Sequence, residues 1–143
     1  MKDKRKSINI LFICRYNRFR SRVAEAYFKK INKNKKIKVD SAGAMKGTPV
    51  DNREIKAAKK FGLKINGKTK GISSKLLTLQ DICIIVADDV PTSLIKDKTY
   101  NKGKTFVWNI KDGRDTQRII NQIMKKVDKL NKDLESGKIK WKQ

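Results

Sequence analysis

The stretch INILFIC at residues 8–14, running into RYNRFRS at 15–21 and RVAEAYFKKI at 22–31, decides the fold. Ile8 to Ile13 is a compact apolar run that ends on Cys14. It is too short for a buried helix and lacks the strict alternation of a half-exposed strand, so it reads as a parallel strand buried on both faces. From Ser21 the apolar spacing turns helical, with Val23, Ala24, Tyr27, Phe28 and Ile31 on one face. Residues 14–20 are then the loop between the C-terminal end of a strand and the N-terminus of a helix. Open α/β sheets bind their ligands at such places.

Working outward, Ile37 to Val39 reads as a short second strand, followed by Asp40-Ser41-Ala42-Gly43. Asp51 and Glu54 have the spacing of a capping box for the next helix, and Gly62 is placed to end it. A short helix near Ser73 to Leu79 precedes a buried strand at Ile82 to Val86, and Thr105 to Trp108 is a fourth strand. A long helix from Thr116 to Leu134 carries Ile119, Ile120, Ile123, Met124, Val127, Leu130 and Leu134 as one stripe. The basic tail from Gly137 to Gln143 reads as frayed, with Trp141 as a docking residue. Strands alternating with helices predict a three-layer α/β/α sandwich with a central four-stranded parallel sheet, and residues 1–143 form one domain.

Composition narrows the function classes. The chain has 37 Lys and Arg against 14 Asp and Glu, a formal charge of +23, and no histidine. Two distant cysteines, Cys14 and Cys83, make neither a disulfide framework nor a metal-ligand cluster. The basic start resembles a signal peptide only briefly, because arginines interrupt the segment after Ile13. No segment approaches the length of a membrane span, so a cytoplasmic protein with reduced thiols and no membrane partner is expected. The charge has two readings. It is either a solvated lysine coat or an attraction for anionic partners, from phosphorylated substrates to nonspecifically bound nucleic acid.

The loop itself reads Cys14-Arg15-Tyr16-Asn17-Arg18-Phe19-Arg20-Ser21. Inward-pointing N–H groups in a loop that opens a helix bind an oxyanion, assisted by the helix dipole. The same field favours the thiolate of Cys14, the nucleophilic form. Arg20 can fork onto two oxygens of a phosphate, and Ser21 can donate a hydrogen bond to the sulfur. Such a constellation aims a nucleophile at phosphorus and needs neither metal nor cofactor. The bland alternative is a structural cysteine at a strand end beside solvent-exposed arginines.

The segment Ile10 to Cys14 through Arg20-Ser21, with Ala24-Glu25-Ala26 after it, resembles the signature of the low-molecular-weight protein tyrosine phosphatases. Asn17 matches the asparagine that braces the phosphate cradle in that family. Asp40-Ser41-Ala42-Gly43 resembles its second-strand signature, Asp81 to Asp89 its third strand and following loop, and Trp108 to Asp112 the segment bearing its general acid. The resemblance spans roughly the whole chain in the family's order. It implies hydrolysis of phosphate monoesters, on a protein or a small molecule, through a phosphocysteine on Cys14. Arg20 would be the clamp and Asp112 the acid and then the base. Arg15, Tyr16, Asn17, Arg18, Phe19 and Ser21 would line the substrate site.

The departures are specific. Tyr16 stands where the family has glycine, Arg18 where an apolar residue lines the pocket, Phe19 where many relatives carry a second loop cysteine, and Gly113 where proline follows the acid. Asp115 competes with Asp112 as a carboxylate but sits better as a helix cap. The same scaffold serves thioredoxin-coupled arsenate reductases, which use two further cysteines after the third strand; here those positions hold Ala87 and Val90. Arsenate reduction with an external thiol and a non-catalytic module binding phosphate or nucleic acid are the two rival readings.

Overall fold

The structure is a computed structural model that describes residues 7–65, 68–96 and 104–139. The elements run β1 (Ile8–Cys14), α1 (Arg20–Ile31), β2 (Ile37–Gly43), α2 (Asn52–Lys60), α3 (Ser74–Thr78), β3 (Ile82–Val86), α4 (Ser93–Lys96), β4 (Lys104–Trp108) and α5 (Thr116–Glu135). All strand pairs are parallel, in the order β2-β1-β3-β4. Every C-terminal strand end therefore lies on one edge of the sheet, and the loops after β1, β3 and β4 can converge there.

Strand alternation divides the core into two layers. Ile8, Ile10 and Phe12 face one way, into a cluster with Val23 and Phe28 of α1 and Ile119 and Ile123 of α5. Leu11 and Ile13 face the other way, with Leu77 of α3 and Ile95 of α4. Phe12 sits between aromatic rings, 6.3 Å from Phe28 and 5.7 Å from Trp108 centroid to centroid. β1 is thus buried on both faces, as its near-continuous apolar sequence requires. The three-layer sandwich read from the sequence is the fold.

Three details differ from the sequence reading. β2 does not stop at Val39 but continues through Asp40-Ser41-Ala42 to Gly43, pairing Cys14 with Gly43. α4 is a four-residue turn of helix begun by Leu94 and Ile95 amides donating to Pro91 and Thr92 carbonyls, too short to leave a periodic signal. Gly137, at φ +78°, ends α5, and the chain then folds back so that the Ile139 amide donates to the Asp133 carbonyl. Ile139 packs against the core, so the frayed tail does not begin at Gly137. Residues 140–143, with Trp141, lie outside the described residues.

α1 and α5 are joined at the surface by Tyr27, whose hydroxyl donates to Asp128 Oδ1 at 2.7 Å. That bond, with burial adding, raises the Tyr27 phenol to about 12. The folded value lies above the ordinary 10, so the stabilisation is complete below pH 10 and is lost as pH rises toward 12. Tyr27→Phe should destabilise the protein by less than about 1 kcal/mol at pH 7, because the bond is exposed. Paired thermal melts at pH 7 and pH 11 should show the gap between wild type and variant closing; a gap unchanged at pH 11 would contradict this tether.

Candidate active site

Cys14 ends β1 opposite Gly43 and is almost completely buried. α1 begins immediately beyond the loop, and its N-terminal residue, Phe19, offers no side-chain cap. No acidic residue stands in its first turn. The contrast with the other helices is informative. Asp51 accepts from the Glu54 amide at α2, Ser73 from the Leu76 amide at α3, and Asp115 from the Arg118 amide at α5. Of these four helices, α1 alone lacks a side-chain cap at its start.

The shape of the loop is fixed by Asn17. It is fully buried and adopts φ +58°, the only non-glycine residue with positive φ among the described residues. Its Nδ2 donates to Ser21 Oγ at 2.9 Å and to Ser41 Oγ at 3.0 Å. Its Oδ1 accepts from the Lys70 amide at 3.0 Å and from Arg22 Nη1 at 3.4 Å. The amide therefore ties the loop to β2, to the segment before α3 and to α1. Ser41 in turn donates to Glu25 Oε1 at 2.5 Å. Ser21 Oγ accepts from Asn17 and lies 3.0 Å from Cys14 Sγ, and its hydroxyl proton is the one available to a Cys14 thiolate, which can only accept. Ser21 is thus set to donate to a thiolate.

Arg20 is the buried cation of the site, with its side chain 4% exposed. Nη2 donates to Asp89 Oδ1 at 3.1 Å, Nη1 donates to the Ile110 carbonyl at 2.9 Å, and Asp88 Oδ1 lies 3.6 Å from Nη1. These partners come from the ends of β3 and β4. Two of the five guanidinium hydrogens are committed in this way, which leaves Nε–H and the second hydrogen of each terminal nitrogen.

Asp112 is exposed on the loop after β4, two residues beyond the carbonyl that Arg20 holds. Arg118 holds the next carbonyl, Lys111, at 3.2 Å, so the loop is fastened from both the cradle and α5 despite Gly113. Asp112 also faces Glu54. Burial pushes the Glu54 carboxyl up, Asp51 adds to the rise, Arg18 opposes it and Asp112 contributes further. Asp115 caps α5, as expected of it.

The remaining loop residues are arranged unequally. Phe19 is buried in the core beside α1, so its side chain does not line the site; an aromatic there anchors the helix instead. Tyr16 is exposed at the rim, with the Arg15 guanidinium 5.1 Å from its ring centre. Arg15 also reaches Asp89, at 3.8 Å. Arg18 lies between Asp51 and Glu54, 3.6 Å from each. Sequence reasoning gave no role to Asp88, Asp89, Glu25 or Ser41. The available signal was two consecutive acids just past β3, on the edge where Cys14 ends β1. Cys83 is buried inside β3 opposite Leu11, and burial pushes its thiol up to about 11. Three residues of strand separate Leu11 from Cys14, roughly 10 Å, beyond disulfide reach. Among the described residues no group of His, Cys, Asp and Glu side chains is arranged to hold a metal ion.

Comparison with known proteins agrees with this geometry. The sequence profile described as low molecular weight phosphotyrosine protein phosphatase matches residues 9–136. The low molecular weight phosphotyrosine protein phosphatase of Saccharomyces cerevisiae is 34% identical over 125 residues, covering 79% of this chain and 78% of the yeast protein. A protein tyrosine phosphatase from Entamoeba histolytica superposes with a TM-score of 0.73 at 25% identity, covering 93% of this chain and 100% of that one. A thioredoxin-dependent arsenate reductase from Corynebacterium glutamicum shares the fold, with a TM-score of 0.75 at 20% identity, over 94% of this chain and 65% of its own.

The double role of Asn17, left-handed backbone and amide brace, can be separated by substitution. Asn17→Gly keeps the backbone conformation and loses the brace, whereas Asn17→Ala loses both. Ala should therefore be the less stable variant by roughly 1–2 kcal/mol, and both should bind orthophosphate more weakly than wild type. Urea unfolding and calorimetric phosphate titration measure the two effects. Equal stabilities for the two variants would remove the backbone half of the argument, and wild-type phosphate affinity in both would remove the other half.

Proposed function

The chain belongs to the low molecular weight phosphotyrosine protein phosphatase family, and from that premise we propose which residues carry out phosphate monoester hydrolysis here. The observation that carries the assignment is the meeting of Cys14, the uncapped start of α1 and the buried Arg20 at one loop. A phosphate dianion seated among the loop amides and the free hydrogens of Arg20 presents its phosphorus to Cys14 Sγ. The thiolate attacks, the S–P bond forms and the P–O ester bond breaks. Asp112 gives its proton to the departing oxygen. The Asp112 carboxylate then takes a proton from water as that water attacks phosphorus, the S–P bond breaks, and inorganic phosphate leaves. Ser21, donating to sulfur, stabilises the thiolate as reactant and as leaving group. Arg20 and the loop amides bind the equatorial oxygens most tightly when charge spreads onto them in the transition state.

Around this centre, Tyr16 and Arg15 form one wall of the mouth and Arg18, with Asp51 and Glu54, the other. Tyr16 offers a flat face to an aromatic leaving group. The arginines are matched by carboxylates, so the rim is not a plain cationic surface. The arsenate-reductase reading lacks a relay: Ala87 and Val90 occupy the positions after β3, and Cys83 is a buried thiol pushed up to about 11. A reduced, cytoplasmic setting suits a free nucleophilic thiol. Nucleic acid would meet a lysine-rich surface, which attracts phosphates without reading bases and loses that attraction with salt. Among the described residues no helix is long and apolar enough to cross a membrane.

Turnover of para-nitrophenyl phosphate by wild type and Cys14→Ser tests the nucleophile. Activity should vanish in the variant while phosphate binding persists, because the cradle is built of amides and Arg20; retained activity would sink the cysteine mechanism. The acid is tested with aryl phosphates of graded leaving-group pKa. Asp112→Asn should slow esters with poor leaving groups by roughly 10²–10⁴-fold and good leaving groups much less. Asp115→Asn should show neither dependence, and its effect should be a few tenths of a kcal/mol on stability, since asparagine also caps a helix. If the two variants exchange behaviours, Asp115 is the acid.

A further inference from the structure

Behind the catalytic loop, between α1, the middle of β2 and the residues leading to α3, lies a second cleft of about 280 Å³. Five cations line it: Arg22 and Lys29 of α1, and Lys64, Lys68 and Lys70. Its carboxylates are Glu25 and Asp40. Five positive groups against two negative leave the walls at a net +3. Lys29 already meets Glu25 at 2.8 Å, and Lys70 meets Asp40 at 2.6 Å. A cleft of this size with that imbalance suits a compact anion bearing several charges better than a neutral ligand or a cation.

The cleft is wired to the catalytic loop through its own lining. Arg22 Nη1 donates to Asn17 Oδ1 at 3.4 Å, and the Lys70 amide donates to the same oxygen at 3.0 Å. Ser41, also in the wall, accepts from Asn17 Nδ2 and donates to Glu25. Asn17 is the residue that bends the loop at φ +58°. An anion in the cleft competes for the Arg22 guanidinium and for the lysines that hold Glu25 and Asp40. Whatever it takes from Asn17 Oδ1 weakens the brace of the cradle on the other side.

We propose that this cleft is an effector site for a compact polyanion of the diphosphate type, and that occupancy lowers turnover by loosening the Asn17 brace. The effect on turnover rests on the phosphatase reading above; binding to the cleft does not. Arg22 supplies the longest and weakest of the bonds to Asn17 Oδ1, so the coupling belongs at the low end of allosteric effects, about fivefold. For binding, linkage requires reciprocity: if an anion in the cleft weakens phosphate affinity in the cradle about fivefold, occupancy of the cradle weakens binding in the cleft by the same factor.

Inorganic pyrophosphate is the probe, titrated calorimetrically into the full chain at about 0.15 M salt, where diffuse attraction is screened beyond roughly 8 Å. Wild type should show two binding events, one in the cradle and one in the cleft. Arg20→Ala should lose the first, and the double variant Lys64→Glu/Lys68→Glu the second. Lys125→Glu/Lys132→Glu, exposed on α5 and outside the lining of the cleft, has the same change of net charge and should keep both events. A single event that disappears with Arg20→Ala overturns the site, and so does an equal loss in the two lysine doubles, which would mean diffuse charge. Steady-state turnover gives a second measure that does not need Arg20→Ala to fold. Pyrophosphate should act as a mixed inhibitor of wild type, lowering kcat as well as raising the apparent KM, and as a purely competitive inhibitor of Lys64→Glu/Lys68→Glu. Purely competitive inhibition of wild type overturns the coupling. If no variant hydrolyses aryl phosphates at all, the phosphatase reading has failed while the calorimetric result still decides the site.

Discussion

A guanidinium taken almost completely out of water is the constraint on which the catalytic edge depends. Burying a cation is costly unless acceptors replace its hydration. Arg20 cannot escape by losing its proton, because arginine stays charged in proteins. Its acceptors have to be delivered by the fold, and they come from two other loops: Asp88 and Asp89 beyond β3, and the Ile110 carbonyl beyond β4. The loop carrying Asp112 is therefore positioned by the same side chain proposed to bind phosphate. Clamp and acid are mechanically linked, although they lie far apart in sequence. In the proposed mechanism, the remaining guanidinium hydrogens are the ones offered to phosphate.

The backbone around that cation is equally constrained. Gly43 pairs with Cys14, and a Cβ there would come 2.6 Å from the Tyr16 carbonyl carbon and 2.7 Å from the Asn17 nitrogen, besides meeting the Met45 carbonyl oxygen. Gly47 is similarly tight, with a Cβ position 2.7 Å from Tyr16 Cβ. These contacts give a physical account of Tyr16. The position does not use positive φ in this chain, since the left-handed residue of the loop is Asn17. The bare backbone at Gly43 leaves room for the main chain of the loop, and the bare backbone at Gly47 leaves room for the Tyr16 side chain itself. Tyr16 is 37% exposed, turned out to the rim of the loop.

The sequence was most legible where periodicity and capping chemistry agree. The buried strand at 8–14, the amphipathic helices and the caps at Asp51, Ser73 and Asp115 each follow from local rules. The central residues of the site were legible because they are contiguous: one loop holds Cys14, Asn17 and Arg20. Local rules fail where a residue's surroundings come from distant chain. Phe19 looks like a loop residue and is a core residue, because α1 starts immediately after it and turns its ring inward. Arg18 gives no local sign that Asp51 and Glu54, at the start of α2, hold its guanidinium. Asp88 and Asp89 carry no local signal of their role, because their partner is Arg20, brought to them by the β1–β3 pairing.

Net charge turns out to be a poor guide to where anions are held. Lysines on exposed faces are separated from a bound anion by water and salt, so beyond about 8 Å their attraction is screened at physiological ionic strength. They can enrich anions near the surface but cannot orient one. Orientation needs groups with fixed positions, and the fixed cations here are arginines set against carboxylates: Arg15 and Arg20 at Asp89, Arg18 at Asp51 and Glu54. Each such pair cancels part of the local positive field and in exchange holds a planar fork in one orientation. The site therefore draws on direction rather than on total charge, combining a helix start without a side-chain cap, a loop bent and braced by Asn17 and a buried guanidinium fixed by carboxylates. The same logic separates the cleft behind the loop from the rest of the lysine-rich surface. Its cations surround one volume, and its walls hydrogen-bond to the residue that shapes the cradle, so an anion there has both a defined position and a route to the chemistry.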